Sequence, residues 1–223
     1  MYIKKVELEN FRNYEKEKIE FDKNVNIIYG DNAQGKTNIL EAIFVCSLGK
    51  SFRTNKDKEL INKEKEYSKI EMISSKKDRE IKINFEIKDR KKFYINGIDA
   101  KKTSDILGKN YIVLFTPEDI NILKNEPSKR RRFLNIMISQ LRPMYVHLLN
   151  QYNKTVEQRN TYLKQIKYEG KDKTNLDIWD EQIVKLGTKI YDIHLKTTEN
   201  KERIEVKYIS NIRKKLFRKF EKK

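Results

Sequence analysis

The sequence is poor in the residues that build cross-linked or metal-bound cores. It contains one cysteine, Cys46, and two histidines, so an internal disulfide is excluded and a Cys/His metal site is not expected. No apolar run approaches the roughly 18–20 residues that a membrane span requires. The first residues alternate and carry charge, which is not the pattern of a signal peptide. We therefore expect a cytoplasmic protein in a reducing compartment, without a membrane partner.

Acidic residues are also under-represented. The chain has 50 Lys and Arg against 33 Asp and Glu, a net charge of +17 over 223 residues. Such an excess favours polyanionic partners such as nucleic acid or an anionic membrane surface, although a chain that is rich in lysine throughout gives the same sum. The aromatic content of 10% argues against disorder. The length allows one large domain or two small ones.

The apolar residues first alternate and then follow a helical period. Strands are expected at residues 2–9, 15–21, 24–29, 67–73, 80–87, 91–95 and 111–115. The segments 24–29 and 111–115 are continuous apolar runs, which predict strands buried on both faces. After Pro127 the period is helical, and apolar residues from Leu176 to Ile193 follow a 3-4 spacing. This part of the chain predicts a helical hairpin.

One motif carries chemistry. Residues 30–37, Gly-Asp-Asn-Ala-Gln-Gly-Lys-Thr, match the P-loop pattern at every fixed position. Gly30 and Gly35 allow backbone N–H groups to approach a phosphate, and the following helix directs its N-terminus at the same group. Lys36 is expected to reach the β- and γ-phosphates of ATP, and the Thr37 hydroxyl to ligate Mg²⁺. The predicted ATP-binding loop is completed by Asp31, Asn32, Ala33 and Gln34.

Several blocks resemble the RecF family of ABC-type ATPases, which are related to SMC heads. They are Leu8–Tyr14, Gly30–Ile43, Ser47–Thr54, Phe115–Asp119, Pro127–Leu134, Gln158–Asn160 and Trp179–Gln182, and the resemblance runs from residue 1 to about 205. It implies an α/β P-loop lobe of the ABC/SMC head type at residues 1–125 and an all-α helical-hairpin arm lobe at 126–204. Residues 205–223 would then be an incomplete return strand and a basic tail. The resemblance also suggests Arg12 near the nucleotide.

The same resemblance implies a function. The family binds ATP and DNA, dimerises around ATP, and works with RecO and RecR to load RecA at gaps. The expected nucleic acids are single-stranded and gapped double-stranded DNA, in DNA replication restart, recombinational repair and SOS induction. Arg130, Arg131 and Arg132 are candidates for contact with DNA phosphates or for salt bridges, and a solvated helix start would account for them equally well.

Two parts of the ABC mechanism are not found in the pattern. No Ser-x-Gly-Gln signature is visible, and no apolar strand ends in the acidic residues of a Walker B motif. Glu118 and Asp119 follow the run 111–115, as candidates for Mg²⁺ or for charge matching at a helix N-terminus. The intact family is expected to be a weak ATPase. Because this chain is expected to stop before the signature and Walker B motifs of the family, we expect it to hydrolyse ATP very weakly.

Two other functions stay open on the sequence. The P-loop alone also fits a phosphotransferase that acts on a small metabolite. The hairpin also fits a non-enzymatic interaction module in which the nucleotide is only a switch. Outside the P-loop, His147, His194 and Cys46 are expected to have packing roles.

Overall fold

A computed structural model describes residues 1–76, 79–117, 127–173 and 176–199. The chain separates into two compact units, Met1–Pro143 and Met144–Lys223. The lobe boundary expected near residue 125 lies outside the described residues and stays a prediction. The same holds for Glu118, Asp119 and the tail 205–223.

The first unit is built on an antiparallel sheet. Its described strands are β1 (Tyr2–Phe11), β2 (Tyr14–Glu20), β3 (Ser68–Lys76), β4 (Arg79–Ile87), β5 (Lys91–Ile95) and β6 (Ile98–Asp99), in the order β2-β1-β3-β4-β5-β6. The strands predicted at 2–9, 15–21, 67–73, 80–87 and 91–95 are confirmed, with small shifts in their bounds. The short edge strand β6 was not predicted.

The turn between β5 and β6 explains why a strand ends at Ile95. Asn96 and Gly97 have φ angles of 50° and 84°, and Ile95 pairs with Ile98 across the turn. Two positive φ angles in a two-residue hairpin are typical of a type I′ turn, which favours Asn-Gly. The backbone N–H of Lys82 donates to Asn96 Oδ1 at 2.8 Å, which fastens the turn to β4.

One face of the sheet forms the core. Facing pairs such as Leu8 with Ile70 and Met72 with Ile83 are at most 1% exposed. Helix α1 (Lys36–Leu48) packs against this face, and its side chains from Glu41 to Leu48 are buried. Cys46 lies in this core as predicted, where burial raises the pKa of its thiol. The sheet therefore holds the helix that begins at the predicted P-loop.

The described α-helices beyond α1 are α2 (Pro127–Leu141) in the first unit, and α3 (Met144–Glu169) and α4 (Leu176–Glu199) in the second. Two short 3₁₀ helices lie at Asp57–Leu60 and Thr103–Asp105. Tyr162 packs on Trp179 with ring centroids 4.7 Å apart, and the Tyr145 hydroxyl lies 2.7 Å from His194 Nε2. Because early residues of α3 contact late residues of α4, the pair is an antiparallel hairpin, as predicted. None of the helices in the described ranges is long and apolar enough to cross a membrane.

Two blocks that resemble the family meet in this hairpin. The guanidinium of Arg159 donates to both carboxylate oxygens of Asp180, at 2.5 and 3.3 Å. Bidentate pairing of this kind fixes both the distance and the orientation of the partners. Arg159 and Asp180 therefore link the facing surfaces of α3 and α4.

The prediction of two buried strands at 24–29 and 111–115 is wrong. Both segments are outside the ladders, and Val25, Tyr29, Val113 and Phe115 are 68–89% exposed. The sequence pattern indicates only that these segments are apolar. A strand also needs an adjacent strand that forms hydrogen bonds with its backbone N–H and C=O groups, and no described strand pairs with either segment. At Ile112 the Gln140 side chain takes that role, bonding the backbone N–H and C=O at 2.7 and 3.0 Å.

Replacing Ile83 by Ala should cost about 2–5 kcal/mol of unfolding free energy, because Ile83 is 0% exposed and its removal leaves a cavity in the sheet core. The same substitution at Ile98, which is 73% exposed, should cost less than about 0.5 kcal/mol. Urea unfolding followed by circular dichroism measures both. Equal losses of stability would contradict the assignment of the core face.

Candidate nucleotide-binding site

The predicted ATP-binding residues form one loop at the start of α1. Gly35 is the N-cap of the helix with φ 91°, and Ala33 is also in the left-handed region with φ 68°. Left-handed residues turn successive backbone N–H groups toward one side, which is the geometry of an anion-binding loop. Thr37 lies in the first turn of α1 and is exposed.

The Lys36 side chain folds back across this loop. Its ammonium donates to the carbonyl oxygens of Gly30 at 2.7 Å and Asp31 at 2.5 Å. The lysine therefore holds the first residues of the loop close to the start of the helix. An anion in the loop would meet the ammonium directly and compete with these carbonyls for its protons.

The turn between β1 and β2 lies against the loop. The Asn38 side-chain amide donates to Asn13 Oδ1 at 2.6 Å, and the Tyr14 hydroxyl donates to the Gln34 carbonyl at 3.3 Å. A Cβ atom on Gly35 would lie 2.7 Å from Tyr14 Oη and 2.8 Å from Asn13 Oδ1. Gly35 is thus required twice, for its backbone angle and for the space that the turn occupies.

Helix α1 also carries a buried carboxylate that the sequence interpretation missed. Glu41 of α1 is 0% exposed. It accepts two hydrogen bonds from Arg12, at 2.7 and 3.0 Å, one from Ser51 at 2.5 Å and one from Arg53 at 3.3 Å. The available signal was a single charged residue within the apolar run of residues 39–46, since such a residue is seldom buried without a partner.

Arg12 precedes α1 in the sequence and Arg53 follows it, and both contact Glu41 of that helix. Arg12 lies in the β1–β2 turn with φ 56°, and Arg53 also donates to Asn38 Oδ1 at 2.7 Å. The predicted position of Arg12 near the nucleotide stays a prediction. The structure joins it through Glu41 to the helix that begins at Lys36.

The candidate DNA-binding arginines lie elsewhere in the first unit. Arg130, Arg131 and Arg132 are exposed in the first turns of α2. Burial lowers the pKa of Lys50, and the nearby positive charges of Arg132 and Lys91 lower it further. Of these two neighbours of Lys50, Lys91 forms an ion pair with Asp57 at 2.9 Å, and Arg132 is one of the three candidate arginines.

A cleft of about 710 Å³ runs from Thr37 toward α2. Its walls include Phe44 of α1, the segment 112–117 and Phe133 of α2, with Arg53 and Arg132 also lining it. The cleft thus connects the exposed hydroxyl of Thr37 with one of the three arginines, while its lining is mostly apolar.

Comparison with known proteins gives the family. A family model described as an AAA domain matches residues 5–223. The curated DNA replication and repair protein RecF of Acetivibrio thermocellus is 42% identical over 229 aligned positions, which cover 95% of this chain and 62% of that protein. RecF of Clostridium acetobutylicum is 43% identical, covering 96% and 63%. The chain thus spans a little over three fifths of these relatives' length.

Solved structures agree on the fold. The recombination mediator protein RecF, solved with an ATP analogue in the RecFOR pathway, matches with a TM-score of 0.85 and 43% identity over 89% of this chain and 54% of that one. An SMC ATPase, from a study of ATP-driven dimerization and DNA-stimulated activation, matches with a TM-score of 0.50 and 27% identity over 61% of this chain and 99% of that one. The predicted fold class, an ABC/SMC head-like P-loop lobe with a helical arm, is confirmed.

Replacing Gly35 by Ala should destabilise the first unit more than replacing Gly97 by Ala. Both glycines have positive φ, which costs a side chain about 1–2 kcal/mol, but a Cβ on Gly97 meets nothing within 4 Å. The excess cost at Gly35 measures the contact with Asn13 and Tyr14. Urea unfolding of both variants checks it, and equal destabilisation would show that the turn does not press on the loop.

Proposed function

The chain belongs to the AAA domain family and is a relative of the RecF DNA replication and repair proteins, and from this premise we propose a function. In this proposal the chain binds ATP at residues 30–37 and uses the nucleotide to control its binding to DNA in recombinational repair. The observation that carries the proposal is the loop itself, with Lys36 folded over the carbonyls of Gly30 and Asp31 at the N-terminus of a buried helix. Backbone N–H groups, a helix N-terminus and an ammonium together suit a polyphosphate.

Mg²⁺ is part of the proposal. Thr37 is exposed in the first turn of α1 and has the hydroxyl that P-loop proteins offer to this ion. Mg²⁺ takes most of its other ligands from phosphates and water, so one protein oxygen is compatible with it. When bound with ATP, the ion would neutralise phosphate charge, while Lys36 and the loop N–H groups hold the phosphates in place.

The positive charge of the first unit supports binding to DNA there. Residues 1–143 have 31 basic and 22 acidic residues, whereas residues 144–199 have 9 and 8. The hairpin of α3 and α4 is therefore almost neutral, while the P-loop unit has a net charge of +9 and residues 200–223, with 10 basic and 3 acidic residues, have a net charge of +7. We place single-stranded or gapped double-stranded DNA on that unit, with Arg130, Arg131 and Arg132 among its contacts.

The wider role follows from the relatives. One solved RecF is described in the RecFOR pathway, and one SMC relative in ATP-driven dimerization. We propose that this chain likewise pairs with a second copy around ATP, cooperates with RecO and RecR, and acts in the cytoplasm in replication restart and SOS induction. The RecF relatives, 39–46% identical, favour this function over a small-metabolite phosphotransferase.

Replacing Lys36 by Ala should weaken ATP binding roughly 10- to 100-fold, because the variant can no longer donate a charged hydrogen bond to phosphate. Calorimetric titration of ATP with Mg²⁺ measures this. Lys92, exposed on β5, is the matched control, and its replacement by Ala should leave ATP affinity unchanged. Wild-type protein that binds no ATP, or a Lys36 variant that binds it normally, would overturn the proposed function.

Replacing Arg130, Arg131 and Arg132 by Ala should weaken binding to gapped DNA and lower the salt slope by about 0.9 for each phosphate that an arginine no longer neutralises. Filter binding with ATP across a salt series measures affinity and slope together. The control replaces Lys88, Arg90 and Lys92, three exposed residues with the same total charge. If both triple variants bind DNA equally weakly, net charge rather than these arginines accounts for the binding.

A further inference from the structure

The Glu41 cluster is costly to build. A carboxylate that is 0% exposed has lost its hydration, and here it is compensated by four hydrogen bonds from Arg12, Ser51 and Arg53. Buried ion pairs seldom stabilise a fold more than apolar residues of similar volume would. Stability of the core alone therefore does not explain why this position of α1 is charged.

The cluster is also unbalanced. One carboxylate faces two guanidiniums, so one positive charge is left over. The two arginines are held differently. Arg12 is bidentate and its side chain is 17% exposed, whereas Arg53 makes one 3.3 Å contact with Glu41 and its side chain is 45% exposed. An arginine fork held on a fixed carboxylate loses less entropy when it binds a second anion.

Contacts connect the cluster to the loop on both sides. Arg53 bonds Asn38, Asn38 bonds Asn13, and Asn13 lies against Gly35. Arg12 is the neighbour of Asn13 in the β1–β2 turn. A displacement of either guanidinium would therefore alter the contacts of Gly35, the N-cap of α1.

We propose that Glu41 is a positioning residue for the nucleotide site: it fixes Arg12 and Arg53 beside the loop, so that their surplus positive charge is in place before a nucleotide binds. The inference rests on the proposed binding of ATP at residues 30–37. Glu41 itself touches no phosphate and acts through the two arginines.

Replacing Glu41 by Gln tests this. A glutamine keeps the length and one acceptor oxygen, but it carries no charge and its NH₂ group faces guanidinium donors, so the bidentate pair with Arg12 is lost and the arginines are held less firmly. ATP affinity should fall about tenfold, within the range of coupling between residues in contact. The measurement is calorimetric titration of ATP with Mg²⁺ at a temperature where unfolding curves show that the variant is fully folded.

The matched control replaces Asp180 by Asn. This also removes the carboxylate from a bidentate arginine pair, with Arg159, but in the helical hairpin. Its melting temperature should fall while ATP affinity stays unchanged. A purely structural role for Glu41 predicts the same behaviour for the Glu41 variant, so unchanged ATP affinity in both would overturn the proposal. Tighter ATP binding by the Glu41 variant would also overturn it, since it would mean that the carboxylate only screens charge.

A second substitution covers the case in which the Glu41 variant does not fold. Arg12→Lys keeps the charge and removes the fork, and it should weaken ATP binding about fivefold. Normal ATP affinity of Arg12→Lys would then overturn the inference. Wild-type protein that binds no ATP would overturn the proposed function together with this inference. Wild-type protein that binds ATP beside unaffected variants would overturn the inference alone.

Discussion

The hydrogen-bonded ions around Glu41 join three segments that are distant in the sequence. They are the β1–β2 turn with Arg12, helix α1 with Glu41, and the segment that carries Ser51 and Arg53. The turn lies against Gly35, and α1 begins at the next residue, so this cluster connects the β1–β2 turn to the helix that follows the candidate nucleotide-binding loop.

The sheet supplies the rigidity behind that contact. Its buried face covers α1, and β1 ends at Phe11, directly before the turn that reaches the loop. The arrangement follows the general preference for placing binding residues on loops that a rigid scaffold positions. Among the described residues, the excess of basic over acidic residues lies mostly on the P-loop unit, and the hairpin of α3 and α4 is nearly neutral.

The exposed apolar segments show where sequence patterns and local structure diverge. Tyr29 and Phe115 belong to runs that are typical of buried strands, yet both are at least 74% exposed. Ile112 obtains backbone hydrogen bonds from the Gln140 side chain instead of from a strand. A buried strand requires a neighbouring strand that pairs with its backbone, and the periodicity of one segment does not show whether that neighbour is present.

The sequence by itself determined the strands with alternating residues, the Asn96–Gly97 turn, the helical hairpin and the P-loop, because each depends on neighbours within a few residues. Local patterns also located Lys36 and Thr37 at the start of α1. Only the tertiary structure decided that Glu41 would gather Arg12 and Arg53, that Asn13 and Tyr14 would press on Gly35, and that residues 24–29 would pair with no described strand. Those outcomes depend on contacts between distant segments, and no period or spacing in the chain encodes which buried charge meets which arginine.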